Sequence, residues 1–290
     1  MDTILCLDSG CGNYDQLWIT TSLRGLTMID LKVEILTEGV HSGDASGVVP
    51  DSFRILRMLI ERIEDSKTAK ILLDGFVDEI PPDKLEQAKF ASEVMGDVLT
   101  TKFPFVEGSK PMNTGADGDL KNYLARAWGN IVTVTGAAGL PPIEVAGNVL
   151  RTSTSARLSV RLNPCMDAKK AEGIIKEALL KDPPYGAKVT VTTPTSANGW
   201  MSPAFEPWIN EVMNKASVAF WGKNAVMFGE GGSIPFMGML GEKFPKAQFV
   251  VTGILGPNSN AHGPNEFLHV PMTKKILGAM AFMLEEHAKQ

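Results

Sequence analysis

Residues 3–10 read Thr3-Ile4-Leu5-Cys6-Leu7-Asp8-Ser9-Gly10. A short continuous apolar run closed by a carboxylate and glycine predicts a buried strand over 3–7 that ends in a loop. Such a run suits the interior of a parallel sheet, where both faces are covered. Ligands of open α/β sheets bind in the crevice at the carboxyl ends of the strands, so Asp8 is a candidate site residue. A strand buried on both sides needs neighbours, and no earlier residues of this chain supply them.

Moving outward, Trp18-Ile19-Thr20-Thr21 and Met28 to Ile35 are β-branched and alternating. The second is expected to be a half-exposed strand. Pro50 to Ile63 places Phe53, Leu56, Leu59, Ile60 and Ile63 at helical spacing, with Asp51 and Ser52 as caps. Helices are expected at 81–98, 119–128 and 167–180, and strands at 131–135, 156–162 and 187–193. This middle stretch has the order of an antiparallel α+β domain. The last ninety residues return to strand–helix alternation: a helix at 205–221, strands at 225–228 and 248–253, and a terminal helix at 272–288. Their loops are glycine-rich, Gly229 to Ser233 and Gly253 to Pro264.

Composition bounds the function. The 290 residues carry 28 Lys+Arg against 33 Asp+Glu, a formal net charge of −5, and 44% are hydrophobic. That is an ordinary globular balance. A mildly acidic chain argues against a nucleic-acid binder. No apolar run reaches the ~20 residues of a membrane span, and the residues after Met1 do not resemble a signal peptide. Cys6, Cys11 and Cys165 are too few and scattered for a disulfide framework or a four-cysteine zinc site. A cytoplasmic location fits them.

The chemistry-bearing residues are few. Of four histidines, His287 near the end is expected to be solvated and His269 to be packed before the terminal helix. His41 and His262 stand in tight loops, Val40-His41-Ser42-Gly43 and Asn260-Ala261-His262-Gly263-Pro264-Asn265-Glu266. Histidines so placed suit metal or catalytic work. The turn Glu230-Gly231-Gly232-Ser233 precedes a helix expected near Ile234-Pro235, whose backbone N–H groups suit a carboxylate or phosphate. It is neither a P-loop nor a dinucleotide fingerprint. No nucleophile elbow is present. These residues alone point to an α/β enzyme-like domain with His/Asp metal chemistry.

Seven segments in order resemble the M20 family of zinc-dependent peptidases and deacylases, in its cytosolic dipeptidase and carnosinase branch. They are Cys6 to Gly10, Ser22 to Gly25, His41 to Gly43, Asn148 to Leu150, Ser159 to Leu162, Glu230 to Pro235 and Ala261 to Glu266. The resemblance implies an α/β fold: a partial zinc-peptidase catalytic domain, 1–22 with 195–290, and an inserted α+β lid or dimerisation domain, 23–194. It implies two divalent metal ions, Zn²⁺ or Mn²⁺, with Asp8 on one and His262 on the other. It implies that His41 crosses to a partner subunit of a homodimer and stabilises the developing oxyanion. Asn148 and Arg161 match lid residues that hold the substrate carboxylate, and Gly232 and Ser233 match the loop at the substrate terminus.

Two departures accompany the match. Thr195 to Trp200 lacks the histidine that the dipeptidase branch carries there, against strict carnosine-type specificity. The family's HxDxxP motif, bridging Asp and Glu-Glu pair precede the strand that ends at Asp8, and the chain begins at that strand. The expected activity is metal-dependent hydrolysis of dipeptides or short peptides, incomplete in this chain alone. The alternatives are a non-catalytic dimerisation or binding module and an N-acyl-amino-acid deacylase.

Overall fold

The computed structural model describes residues 3–289. In chain order the strands are β1 (Thr3–Gly10), β2 (Trp18–Leu23), β3 (Gly25–Glu34), β4 (Val40–His41), β5 (Ile131–Ala138), β6 (Val149–Leu150), β7 (Ser153–Leu162), β8 (Lys188–Ala197), β9 (Trp200–Met201), β10 (Val226–Glu230) and β11 (Gln248–Leu255). The helices are α1 (Ser42–Ala45), α2 (Ser52–Ile60), α3 (Pro82–Met95), α4 (Val98–Thr101), α5 (Gly118–Trp128), α6 (Ala168–Leu180), α7 (Pro207–Trp221), α8 (Pro235–Lys243) and α9 (Val270–His287). They form two compact units.

The first unit comprises Met1–Arg24, Glu79–Trp128 and Trp200–Gln290. Strand β1 pairs in parallel with β11, from Thr3 opposite Gln248 to Cys6 opposite Val251. Strand β10 pairs in parallel with β2, and β2 is joined antiparallel by the short β9. The parallel strands are apolar because helices cover them. Trp18, Ile19, Phe228 and Val250 are buried with residues of α3, α5, α7 and α9 in one cluster. Trp18 meets Phe228 edge-on, with ring centroids 5.1 Å apart.

The second unit comprises Gly25–Asp78 and Gly129–Gly199. Its antiparallel sheet has the order β5-β7-β3-β8. The alternation of β3 buries Ile29, Leu31 and Val33 and leaves Lys32 exposed. Helix α2 buries Ile55, Leu56 and Leu59 in the same cluster, and α6 buries Ala171, Ile175 and Leu179 there. Both helices start as expected of capped helices: Asp51 accepts from Arg54 N at 2.8 Å and Asp167 from Lys170 N at 2.6 Å. A two-stranded ribbon, β4 with β6, sets His41 opposite Val149.

Three expectations change. The second unit is not the continuous stretch 23–194, because Glu79–Trp128 joins the first unit. The reason is burial: Ala88, Ala91, Met95, Tyr123, Ala127 and Trp128 share a core with Trp18 and Phe228. Strand β1 runs on to Gly10 and is not buried throughout: Thr3–Cys6 are half-buried, Leu7 is 48% exposed and Asp8 is exposed. Among the described residues β1 has one hydrogen-bonded neighbour, β11. His287 is half-buried rather than solvated, stacked on Trp208 with centroids 5.5 Å apart.

Candidate active site

A cavity of about 420 Å³ opens in the first unit where β1, β2, β10 and β11 end. Carboxyl ends of parallel strands are where open α/β sheets take their ligands. Asp8, Gly232, Ser233 and His262 all line it, together with Lys102, Arg126 and Glu230. His269, by contrast, has the packing role expected of it. It stacks on Tyr14 at 3.8 Å, and its Nδ1 caps α9 by accepting from Met272 N at 3.2 Å.

Glu230 is held from three sides. The preceding residue, Gly229, is gripped by Tyr123, whose hydroxyl donates to the Gly229 carbonyl at 3.1 Å and accepts from its N–H at 2.7 Å. Arg126 donates to Glu230 Oε2 at 2.5 Å, and Gly231 N donates to the same oxygen at 3.3 Å. The turn must be glycine at 231, since a Cβ there would lie 2.8 Å from the Arg126 carbonyl oxygen. Ser233 Oγ donates to the Arg24 carbonyl at 2.6 Å, and Pro235 then opens α8 at its first position.

The loop after β11 carries His262. Asn258, Asn260, His262 and Asn265 all have left-handed backbones, with φ of 63°, 50°, 60° and 59°. Asn and His tolerate this region better than most residues, but each such residue costs energy and must be held by its surroundings. Asn260 Nδ2 donates to the Pro264 carbonyl at 2.7 Å, and His262 N donates to Glu266 Oε2 at 2.9 Å. Strain concentrated on four residues of one loop, a cavity histidine among them, is the pattern of a functional loop.

The cavity is electrostatically mixed. Burial, with Arg126 nearby, pulls the Lys102 ammonium down to about 8. Burial and then the Glu230 charge push the Cys11 thiol up to about 12. The metal expectation can be tested against the donor set. Asp8 and His262 supply one carboxylate and one imidazole. Among the described residues no group of three or more His, Cys, Asp or Glu is arranged to hold a metal ion. Zinc takes three or four protein ligands. The described residues therefore do not by themselves make up a two-metal centre.

The remaining candidates lie in the second unit. His41 is exposed at the end of β4, and Ser42 N donates to the Asn148 carbonyl at 2.9 Å, so the ribbon brings His41 and Asn148 together. Arg161 lies on β7 between Ile131 of β5 and Leu26 of β3. Burial lowers the affinity of its guanidinium for the proton. Sequence reading missed Lys102 and Arg126 as cavity residues, because their segment carries no motif. Glu230 stood inside the singled-out turn but was not assigned a role.

No protein-family model matches the chain. Over 267 residues it is 26% identical to the cysteinylglycine-S-conjugate dipeptidase of Corynebacterium striatum, covering 88% of this chain and 55% of that enzyme. It is 24% identical to the Cys-Gly metallodipeptidase DUG1 of Saccharomyces cerevisiae, covering 75% of this chain and 44% of that one. Among solved structures, the yeast dipeptidase Dug1p superposes on all of this chain and 60% of its own with a TM-score of 0.80 at 21% identity. Human carnosine dipeptidase 1 gives 0.76 at 18% identity, covering 99% of this chain and 60% of its own. An M20 family metallo-carboxypeptidase from Sulfolobus solfataricus gives 0.72 at 18%, covering 96% and 62%. The fold is thus the α/β fold of these metallopeptidases. The chain spans about half the length of the curated relatives it matches.

Proposed function

We propose that this chain carries the substrate-binding part, and a share of the metal ligands, of an M20-type metallopeptidase that hydrolyses dipeptides or short peptides. The observation that carries this reading is convergence. Asp8, Gly232, Ser233 and His262 come from segments up to 254 positions apart (8 to 262) and line one cavity at the carboxyl ends of parallel strands. The dipeptidase relatives and the shared fold support it.

Asp8 and His262 would each contribute one ligand to a divalent ion, Zn²⁺ or Mn²⁺, in a two-metal centre that needs further donors. When bound, such ions polarise the scissile carbonyl and activate water. The chain's own residues position the peptide. Ser233 donates to the Arg24 carbonyl, which fixes the turn that faces the substrate terminus. Arg161 offers a planar fork to the terminal carboxylate, with Asn148 beside it in role. His41 donates to the developing oxyanion.

The active form is a cytoplasmic homodimer through the second unit. Ile143 at 89% exposure and Val145 at 72% stand on the segment leading to β6, the strand that pairs with β4, and are suited to burial against a second copy. The three free cysteines suit a reducing compartment. Among the described residues no helix is long and apolar enough to cross a membrane.

The experiment is turnover of Cys-Gly and Ala-Gly with Zn²⁺ or Mn²⁺. The chain is assayed alone and with the portion of the Corynebacterium enzyme that it does not cover. Turnover should appear only in the complemented form, and His262→Ala should reduce it by about 100-fold or more. Near-normal activity in His262→Ala overturns the metal assignment. The small donor set favours one competing reading, a non-catalytic dimerisation or binding module. It predicts dimers with no turnover in either form.

A further inference from the structure

Lys102 is the unusual group of the cavity. It follows α4 directly and lines two spaces at once. One is the 420 Å³ cavity. The other is a small space of about 10 Å³ walled by Cys11, Met95, Leu99 and Phe228 together with Arg126 and Glu230, too small to hold more than a single water. The lysine thus lies between apolar side chains and the Arg126–Glu230 pair, and it borders the open cavity.

Its ammonium makes no hydrogen bond and no ion pair among the described residues. Its one ring contact is with Phe103, 5.2 Å from the centroid. The nearby carboxylate, Glu230, is already taken by Arg126 at 2.5 Å. Glu230 thus acts on Lys102 through space, without an ion-pair contact. A largely desolvated cation with donors to spare, at the wall of a ligand cavity, is unfavourable until an anion arrives. Burial lowers its proton affinity for the same reason, while leaving it mostly charged at neutral pH.

We infer that Lys102 is the anion-recognition residue of this cavity and binds a carboxylate of the substrate. The identity of the anion rests on the peptidase reading above, since carboxylates are the anionic groups of an unmodified peptide. The carboxylate is either an acidic side chain or the peptide's C-terminus. In the first case the enzyme prefers Asp- or Glu-containing dipeptides. In the second it takes dipeptides without regard to their side chains.

The test does not require turnover. The 290-residue chain is acetylated briefly near neutral pH with an amine-selective reagent, and the modification of Lys102 is followed by peptide mass spectrometry. The probes are succinate, its diamide, Asp-Gly, Ala-Gly and Ala-Gly amide. Protection scales as one plus the ratio of ligand concentration to dissociation constant, so a ligand at ten times that constant slows modification about tenfold. Succinate should protect and the diamide should not.

Protection by Asp-Gly but not Ala-Gly assigns the side-chain carboxylate. Equal protection by both, lost with Ala-Gly amide, assigns the C-terminus. Protection by none of the carboxylates overturns the inference, as does equal protection by succinate and its diamide. A Lys102→Met chain that is folded by circular dichroism should bind succinate at least about tenfold more weakly by calorimetry, a difference of about 1.4 kcal/mol. The protection measurement stands without that variant. If carboxylates protect Lys102 while the complemented enzyme shows no turnover, the peptidase reading fails and the anion site stands.

Discussion

Tyr123 holds both backbone groups of Gly229, donating to its carbonyl at 3.1 Å and accepting from its N–H at 2.7 Å. One buried hydroxyl on α5 thereby fixes the end of β10, and with it Glu230 at the cavity wall. Burial pushes the phenol well above its ordinary range, so it stays protonated and keeps both roles. Tyr123→Phe removes both bonds and strands two backbone groups. The expected loss is about 2 kcal/mol, read from urea unfolding midpoints. An unchanged midpoint would mean that water or a shifted strand end replaces the hydroxyl.

Gly253 is the second point of close approach. A Cβ there would sit 1.6 Å from the Ser9 carbonyl oxygen, where β1 and β11 slip register. Backbone cannot yield as a flexible side chain does. Gly253→Ala should cost about 3 kcal/mol and lower the thermal midpoint, as overpacking at a rigid site does. A stability within experimental error of the parent would show that the two strands separate easily.

Glu172 on α6 is predicted to make stability pH-dependent. Lys176 at 2.6 Å and Lys169 at 3.0 Å hold its carboxyl down to about 2 from an ordinary 4.5. A group whose proton affinity falls on folding contributes stability above its unfolded pKa and loses it as pH drops toward the folded one. Solvent screening limits the contribution to about 1 kcal/mol or less. Glu172→Gln should therefore lower the thermal midpoint slightly near neutral pH. The gap between variant and parent should close as the pH falls from 4.5 to about 2. A gap that is constant with pH would assign the effect to packing.

The cysteines should separate by reactivity. Cys165 is exposed, whereas Cys11 is buried with its thiol held protonated up to about 12. The thiolate is the reactive form. Alkylation under native conditions should label Cys165 rapidly and leave Cys11 untouched until the chain unfolds, as read by mass spectrometry. Fast native labelling of Cys11 would mean that the first unit opens locally.

Much of the local structure was legible in the residue pattern. The alternation in 28–35 and 156–162 appears as β3 and β7, and the helical spacing of Leu56 and Leu59 as the buried face of α2. Asp167 caps α6 near the expected position. The loops holding Asp8, Ser233 and His262 were also recognisable, and they meet in one cavity. The helix expected over 81–98 stops at Met95, because Gly96 adopts a φ of 54° and breaks the ladder before α4.

Other features were not legible. Nothing in the periodicity of 82–95 or 118–128 says which sheet their apolar faces meet, and both join the core of Trp18 and Phe228 rather than that of the second unit. Lys102 and Arg126 carry no motif, and they enter the cavity only because that segment packs there. The left-handed backbone at His262 follows from loop closure against Pro264 and Glu266. Periodicity, caps and turn residues act within a few positions of the chain, so the residues alone dictate where helices, strands and chemically capable loops lie. Which of these faces one another depends on long-range burial, where many apolar partners are interchangeable and the best joint packing wins. That choice, made only in the folded chain, sets the division into units and places Lys102 beside Glu230.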